Sequence, residues 1–204
     1  MLALKAVNGT LVRRPPQRQH NSKVRDREYL TPEEVEKLFQ RAKAYGRYGA
    51  RDALMIWVAY RHGMRVGELV SLRWSQVDFD ASAIHVKRLK NGNNTASPMD
   101  EREIRGLRRL QKTREGQFVF TSERGGPITA AGFRKTLGRL SAGMFDLGPV
   151  HPHMLRHATG YALANRGVET RLIQAILGHR EIKHTVGYTA MAPATLMNVW
   201  EGKR

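Results

Sequence analysis

Two arginines, a lysine, two histidines and a tyrosine stand along this chain in an order that suits one reaction. Arg65 lies in G-M-R-V-G-E, Lys90 in R-L-K-N-G, and His153 with Arg156 in H-P-H-M-L-R-H. His179 follows in L-G-H-R and Tyr188 in H-T-V-G-Y-T. Metal-free attack on a phosphodiester needs these residue types. Guanidinium forks bind non-bridging phosphate oxygens in pairs. Lysine and histidine move protons, and a tyrosine hydroxyl can serve as a covalent nucleophile. Each motif alone is weak evidence. H-x-x-R turns up on charged helices of many kinds, and an arginine near a helix start is usually a surface ion pair worth about 0–1 kcal/mol. The ordered set carries the reading.

Spacing says more about individual residues. His153 and Arg156 are three apart, so a helix puts both on one face. Pro152 places them in its first turn, where free N–H groups and the helix dipole already favour an anion. Glu68, three residues after Arg65, can orient that arginine or cap the backbone. Gly178 is a helix terminator that leaves His179 on a turn. Tyr188, with an ordinary pKa of about 10, needs cations or a base beside it to attack at neutral pH. Arg65, Arg156 and Lys90 supply that field. His184 competes with His179 as a site histidine, because in a helix it would share a face with Tyr188. His151 and His157 read as structural or DNA-contacting residues, and Lys87 and Arg88 as hairpin cations on DNA.

The elements that must hold these residues are mostly helices. Thr31-Pro-Glu-Glu34 is a capping box with proline in the first turn, followed by apolar Val35, Leu38, Phe39 and Ala42 at helical spacing. A strongly apolar helix is expected over 49–62, ended by Gly63, and a short one over 66–72. The period then changes: 83–86 and a segment ending near Met99 flank Asn91-Gly92-Asn93-Asn94, a hairpin signal. Helices are expected again over 100–113, 129–142, 153–165 and 169–177, with a short strand at 118–120. The fold class is mainly α with a small antiparallel β-sheet (α+β).

Residues 1–28 read as a flexible basic arm with paired prolines at 15 and 16. A catalytic domain is expected over 29–191. A tail over 192–204 follows, in which Leu196, Val199 and Trp200 share one helical face.

The charge points to the partner. With 35 Lys and Arg against 18 Asp and Glu, the formal charge is +17, which calls for a polyanion, and nucleic acid is the usual one. No long basic amphipathic helix, lipidation motif or spanning apolar run argues for a membrane. The chain has no cysteine, which excludes disulfides and thiolate metal sites. No carboxylate or histidine cluster has metal-ligand spacing, so neither metal nor cofactor is expected. The expected location is the cytoplasm, at the nucleoid.

From about Leu30 to Trp200 these motifs resemble the catalytic domain of the tyrosine recombinase (phage integrase) family. The stretches H-P-H-M-L-R-H, A-L-A-N-R-G-V-E-T-R-L-I-Q, L-G-H-R-E-I-K-H-T-V-G-Y-T-A and R-L-K-N-G are most similar to the short fimbrial phase-variation invertases. The resemblance implies the tyrosine recombinase catalytic-domain fold and a catalytic set of Arg65, Lys90, His153, Arg156, His179 and Tyr188, supported by Glu68. It ranks His179 above His184. It implies cleavage of double-stranded DNA at specific recombination sites through a 3′-phosphotyrosyl link, a homo-tetramer on paired sites, a tail that docks in trans, and in some members a DNA-bending accessory protein. Two features depart from the family pattern. The hairpin has L-K-N-G where many members have G-K-G, which leaves Lys87 as a rival to Lys90. Only the basic arm stands where most members carry a DNA-clamp domain. Rival readings are DNA relaxation of the type IB topoisomerase kind and a catalytically silent DNA-binding regulator.

Overall fold

The computed structural model describes residues 4–7, 10–13, 27–89, 92–113, 116–146 and 148–189. Lys90 and the tail over 192–204 lie outside the described residues, as do residues 14–26 of the arm. Within the arm, Leu4–Val7 (β1) pairs antiparallel with Thr10–Arg13 (β2), Leu4 opposite Arg13 and Val7 opposite Thr10. The segment expected as a basic arm thus includes a short strand pair. Asn8-Gly9 between the two runs is strong hairpin chemistry, and the reading of the arm, drawn from its prolines and cations, passed over it.

Helix α1 (Pro32–Ala44) starts as its sequence dictates. The Thr31 hydroxyl accepts from the Glu34 N–H, and the Glu34 carboxylate accepts from the Thr31 N–H at 2.8 Å. Its buried face packs on α2 (Gly49–Arg61), which is apolar nearly all round and forms the centre of the core. Against α2 also lie α4 (Glu101–Lys112), capped by Asp100, and α6 (Pro152–Asn165), which opens on proline. The short α3 (Val66–Val70) follows α2 after a turn at Gly63, and α5 (Ala130–Ser141), capped by Thr129, closes the core.

The sheet has three strands in the order β3-β4-β5: Val77–Asp78, Ala83–Val86 and Thr95–Pro98, all antiparallel. The hairpin β4–β5 was expected, with Ala83 opposite Pro98 and Val86 opposite Thr95. The two-residue β3 was not, because so short a run carries no alternation to read. The strand expected at 118–120 is a correction. Phe118 makes only an isolated bridge to Arg73, and the segment otherwise runs as an irregular link whose Val119 N–H donates to the Leu72 carbonyl.

A second, smaller core joins α6 to α7 (Thr170–Leu177) and α8 (Lys183–Thr189). It consists of Ala164, Ile173, Leu177 and Tyr188, with Tyr161, Leu163 and Val168 packed against it. No helix had been assigned to residues 183–189 from the sequence. Its polar, glycine-containing stretch has no strong period, and burial of Thr185 and Tyr188 against α6 and α7 stabilises it instead.

Candidate active site

Two helix ends hold the arginines. A helix leaves its last carbonyls unpaired, with a partial negative charge that suits a cation. Arg156, 1% exposed, donates from Nη1 to the Gly63 carbonyl at 2.5 Å, beyond the end of α2, and from Nη2 to the Leu177 carbonyl at 2.8 Å, at the end of α7. Arg88 uses the same two ends, donating to the carbonyls of His62 (2.9 Å), Gly63 (3.3 Å) and Ile176 (2.6 Å). Both turns require glycine: Gly63 has φ +54° and Gly178 has φ +64°. Gly178 closes α7 with a Schellman pattern in which the His179 N–H donates to the Gln174 carbonyl.

Arg88 had been expected on DNA. It is instead buried, 7% exposed, with its guanidinium committed to backbone carbonyls and to Glu68 at 2.9 Å. Glu68 is the hub of this region. Its carboxylate accepts from Arg88 Nη1, Arg65 Nη1 at 3.0 Å, the Arg65 N–H at 2.9 Å and the Leu89 N–H at 3.1 Å. These bonds and the charge of Arg88 hold its pKa low in spite of burial, which alone would raise it. Arg65, at the N-cap of α3, is thus oriented by the acid three residues on, and its side chain stays 28% exposed.

An open cavity of about 340 Å³ lies over this region. Arg65, His153, Arg156, His179, His184 and Tyr188 line it, with Arg180, His157 and the glycines 92 and 178 completing much of the wall. Five of the six residues expected from the sequence to be catalytic therefore share one surface. The sixth, Lys90, lies outside the described residues. Lys87 is exposed and is not part of the cavity wall.

Histidines differ sharply in their surroundings. His179, buried, pairs its Nδ1 with the Thr185 hydroxyl at 2.8 Å and stacks on the Tyr188 ring with centroids 6.4 Å apart. Desolvation, then Arg156 and Arg65, push its pKa down to about 3. His184 is exposed, its ring 5.9 Å from that of His179. His153 opens onto the cavity, and desolvation and the charge of Arg156 lower its pKa. His157, one turn further along α6, was expected on DNA. The structure sets its Nδ1 2.9 Å from the Tyr188 hydroxyl, with a pKa lowered to about 4 by desolvation, His153 and Arg156.

Tyr188 itself is 6% exposed. Burial raises its pKa, and Arg156 and Arg65 pull it the other way. Its ring lies so close to Gly160 that a Cβ there would come within 2.7 Å of it. Desolvation pushes the pKa of Arg156 down to about 10, so it remains cationic at neutral pH. Desolvation is the largest cause of the shifts at His153, Arg156, His157, His179 and Tyr188, and the charge of Arg156 adds to it in lowering the three histidines. Among the described residues, no group of three or more His, Cys, Asp or Glu side chains could hold a metal ion.

The phage integrase family model matches residues 28–195. The chain belongs to the phage integrase family. The recombinase is 42% identical over 184 residues to the type 1 fimbriae regulatory protein FimE of Escherichia coli K12, covering 86% of this chain and 91% of that one. It is 38% identical to FimB of the same strain over 185 residues, covering 87% and 92%. Its fold matches the crystal structure of XerA recombinase with a TM-score of 0.72 at 26% identity, over 86% of this chain and 65% of the other. It is a tyrosine-type site-specific recombinase with the mainly helical catalytic fold of that family.

Two contributors were not singled out from the sequence, and a third, His157, was given a different part. Thr185 orients His179, and no sequence pattern announces that. Gly160 could have been flagged, since a glycine inside a helix often marks a close approach. His157 stood four residues after His153 and so on the same helical face, a signal that was available.

Proposed function

We propose that the recombinase cleaves and rejoins double-stranded DNA through a 3′-phosphotyrosyl intermediate on Tyr188. The observation that carries this reading is the single cavity wall shared by Tyr188, Arg65, Arg156, His153 and His179. A phosphodiester in that cavity meets two guanidinium groups held by a buried acid and by helix-end carbonyls. Such preorganised donors stabilise charge that builds on the phosphorane without reorganising. His179 adds a hydrogen bond, and His153 assists proton transfer. Lys90, from its hairpin motif, protonates the departing 5′-oxygen. The 5′-hydroxyl of a partner strand then reverses the step, and the phosphotyrosine conserves the bond energy, so no cofactor takes part.

The substrate is DNA carrying specific recombination sites, and the outcome is integration, excision or inversion according to where two sites lie. A homo-tetramer assembles on paired sites in the cytoplasm, at the nucleoid, with the tail over 192–204 docking on a neighbouring protomer. A DNA-bending accessory protein joins where the site demands it. Among the described residues, no helix is long and apolar enough to cross a membrane. Lys87 and other exposed cations contact the phosphate backbone.

The test is a plasmid carrying two copies of a site mapped from cleavage in DNA flanking the gene. Recombinant product with two sites, none with one, and none from Tyr188→Phe is the expected outcome, with EDTA present throughout. Relaxation of single-site plasmid without any recombinant product would instead place the chain among relaxing enzymes.

A further inference from the structure

Helix α6 presents more to the cavity than the H-x-x-R pair. Residues 153, 157, 160 and 161 recur at helical spacing along one face. Tyr188 lies against that face, over Gly160 and edge-on to Tyr161 at 5.1 Å between ring centroids. His157 is the side chain that bonds its hydroxyl, at 2.9 Å from Nδ1. A proton acceptor must lie within about 2.6–3.2 Å of the proton's donor atom. His153 sits one turn earlier, its ring 4.3 Å from that of His157. His179 faces the flat side of the phenol and has its Nδ1 on Thr185. Of these three imidazoles, His157 alone holds the phenol.

We infer that His157 accepts the Tyr188 proton as the phenol attacks the DNA phosphate. This rests on the reading of Tyr188 as nucleophile. The step balances. The Tyr188 O–H bond breaks and its proton passes to the Nδ1 lone pair, the Oη–P bond forms, and the P–O5′ bond breaks. The departing 5′-oxygen takes its proton from the general acid, for which the sequence offers Lys90. In rejoining, the 5′-hydroxyl returns its proton to the deprotonated general acid as its oxygen attacks phosphorus, the P–O5′ bond forms and the Oη–P bond breaks, and Nδ1–H returns its proton to Oη.

The surroundings suit that role. An acceptor must be neutral, with its ring proton on Nε2. Burial, His153, Arg156 and His151 all disfavour the imidazolium, while Glu28 favours it, and the balance keeps His157 neutral. A phosphodiester bound between Arg65 and Arg156 adds negative charge beside the ring and favours the imidazolium. The acceptor therefore gains basicity once the substrate is in place, and the free enzyme keeps its phenol protonated.

The competing account is an anchor that merely holds the phenol in position. The two are separated by His157→Ala and His157→Asn in the full chain, each with tyrosine or a more acidic ring-fluorinated tyrosine at position 188. The readout is the rate of covalent adduct formation on a nicked substrate, with DNA affinity measured alongside. Both variants should bind DNA nearly as the wild type does and form adduct about 10²–10⁴-fold more slowly. Fluorination should shrink that defect, because a more acidic phenol needs less help to ionise. An Asn variant that restores the rate, or a defect equal with both phenols, overturns the assignment in favour of an anchor. Adduct from the wild type with an unimpaired His157→Ala sinks this inference alone. A wild type that forms no adduct sinks the functional reading as well.

Discussion

Glu68 is the residue on which the arginines depend. It accepts four hydrogen bonds, two of them from the guanidinium groups of Arg65 and Arg88. Arg88 is fully enclosed, so loss of its carboxylate leaves a buried cation with carbonyl dipoles for company. Breaking a buried pair from one side costs about 3–5 kcal/mol. Glu68→Ala should lower unfolding free energy by that order in a denaturant titration, and a variant within about 1 kcal/mol of wild type would remove Glu68 from this role. The same residues mark a boundary of what sequence can tell. Glu68 was legible as the partner of Arg65, since it lies three positions further along the chain. Arg88 was misread as a DNA contact because its partners, the carbonyls of His62, Gly63 and Ile176, lie far along the chain and carry no side-chain signal.

At the scale of elements, the site is built where helices stop. The ends of α2 and α7 supply carbonyls, the start of α6 supplies His153 and Arg156, and α8 brings Tyr188 back across α6. One end of each of α1, α2, α4, α5, α6 and α7 was legible because it is written locally, at Thr31, Gly63, Asp100, Thr129, Pro152 and Gly178. The helix α8 and the two-residue β3 were not, since tertiary packing rather than local pattern forms them. The crossing of α8 over α6 depends on Gly160, where an added Cβ would meet the Tyr188 ring at 2.7 Å. Gly160→Ala keeps helix propensity and even improves it, so α6 should survive while Tyr188 is displaced. Misplacing a reacting group by about 1 Å can cost on the order of 10²-fold. Adduct formation by Gly160→Ala should fall to that extent with DNA affinity preserved, and an unchanged rate would mean that α8 is free to shift.

For the whole molecule, composition and site tell the same story. A formal charge of +17 draws the chain to a polyanion, and in the cavity wall desolvation, with the charge of Arg156 added to it, keeps His153, His157 and His179 neutral beside the two arginines. Five residues of the cavity wall, Arg65, His153, Arg156, His179 and Tyr188, could be listed from sequence, because arginine, histidine and tyrosine chemistry is specific when ordered. Their arrangement could not: which histidine meets the phenol is decided by how α6 and α8 pack, and that contact fell to His157. The central claim is that Tyr188 becomes linked to DNA. The most direct measurement is to trap the adduct on a nicked substrate, digest protein and DNA, and identify the modified peptide by mass spectrometry. The account predicts a nucleotide joined through its 3′-phosphate to Tyr188, with a 5′-hydroxyl on the released strand. A nucleotide on Tyr161 or any other residue, or a link through a 5′-phosphate, would contradict it.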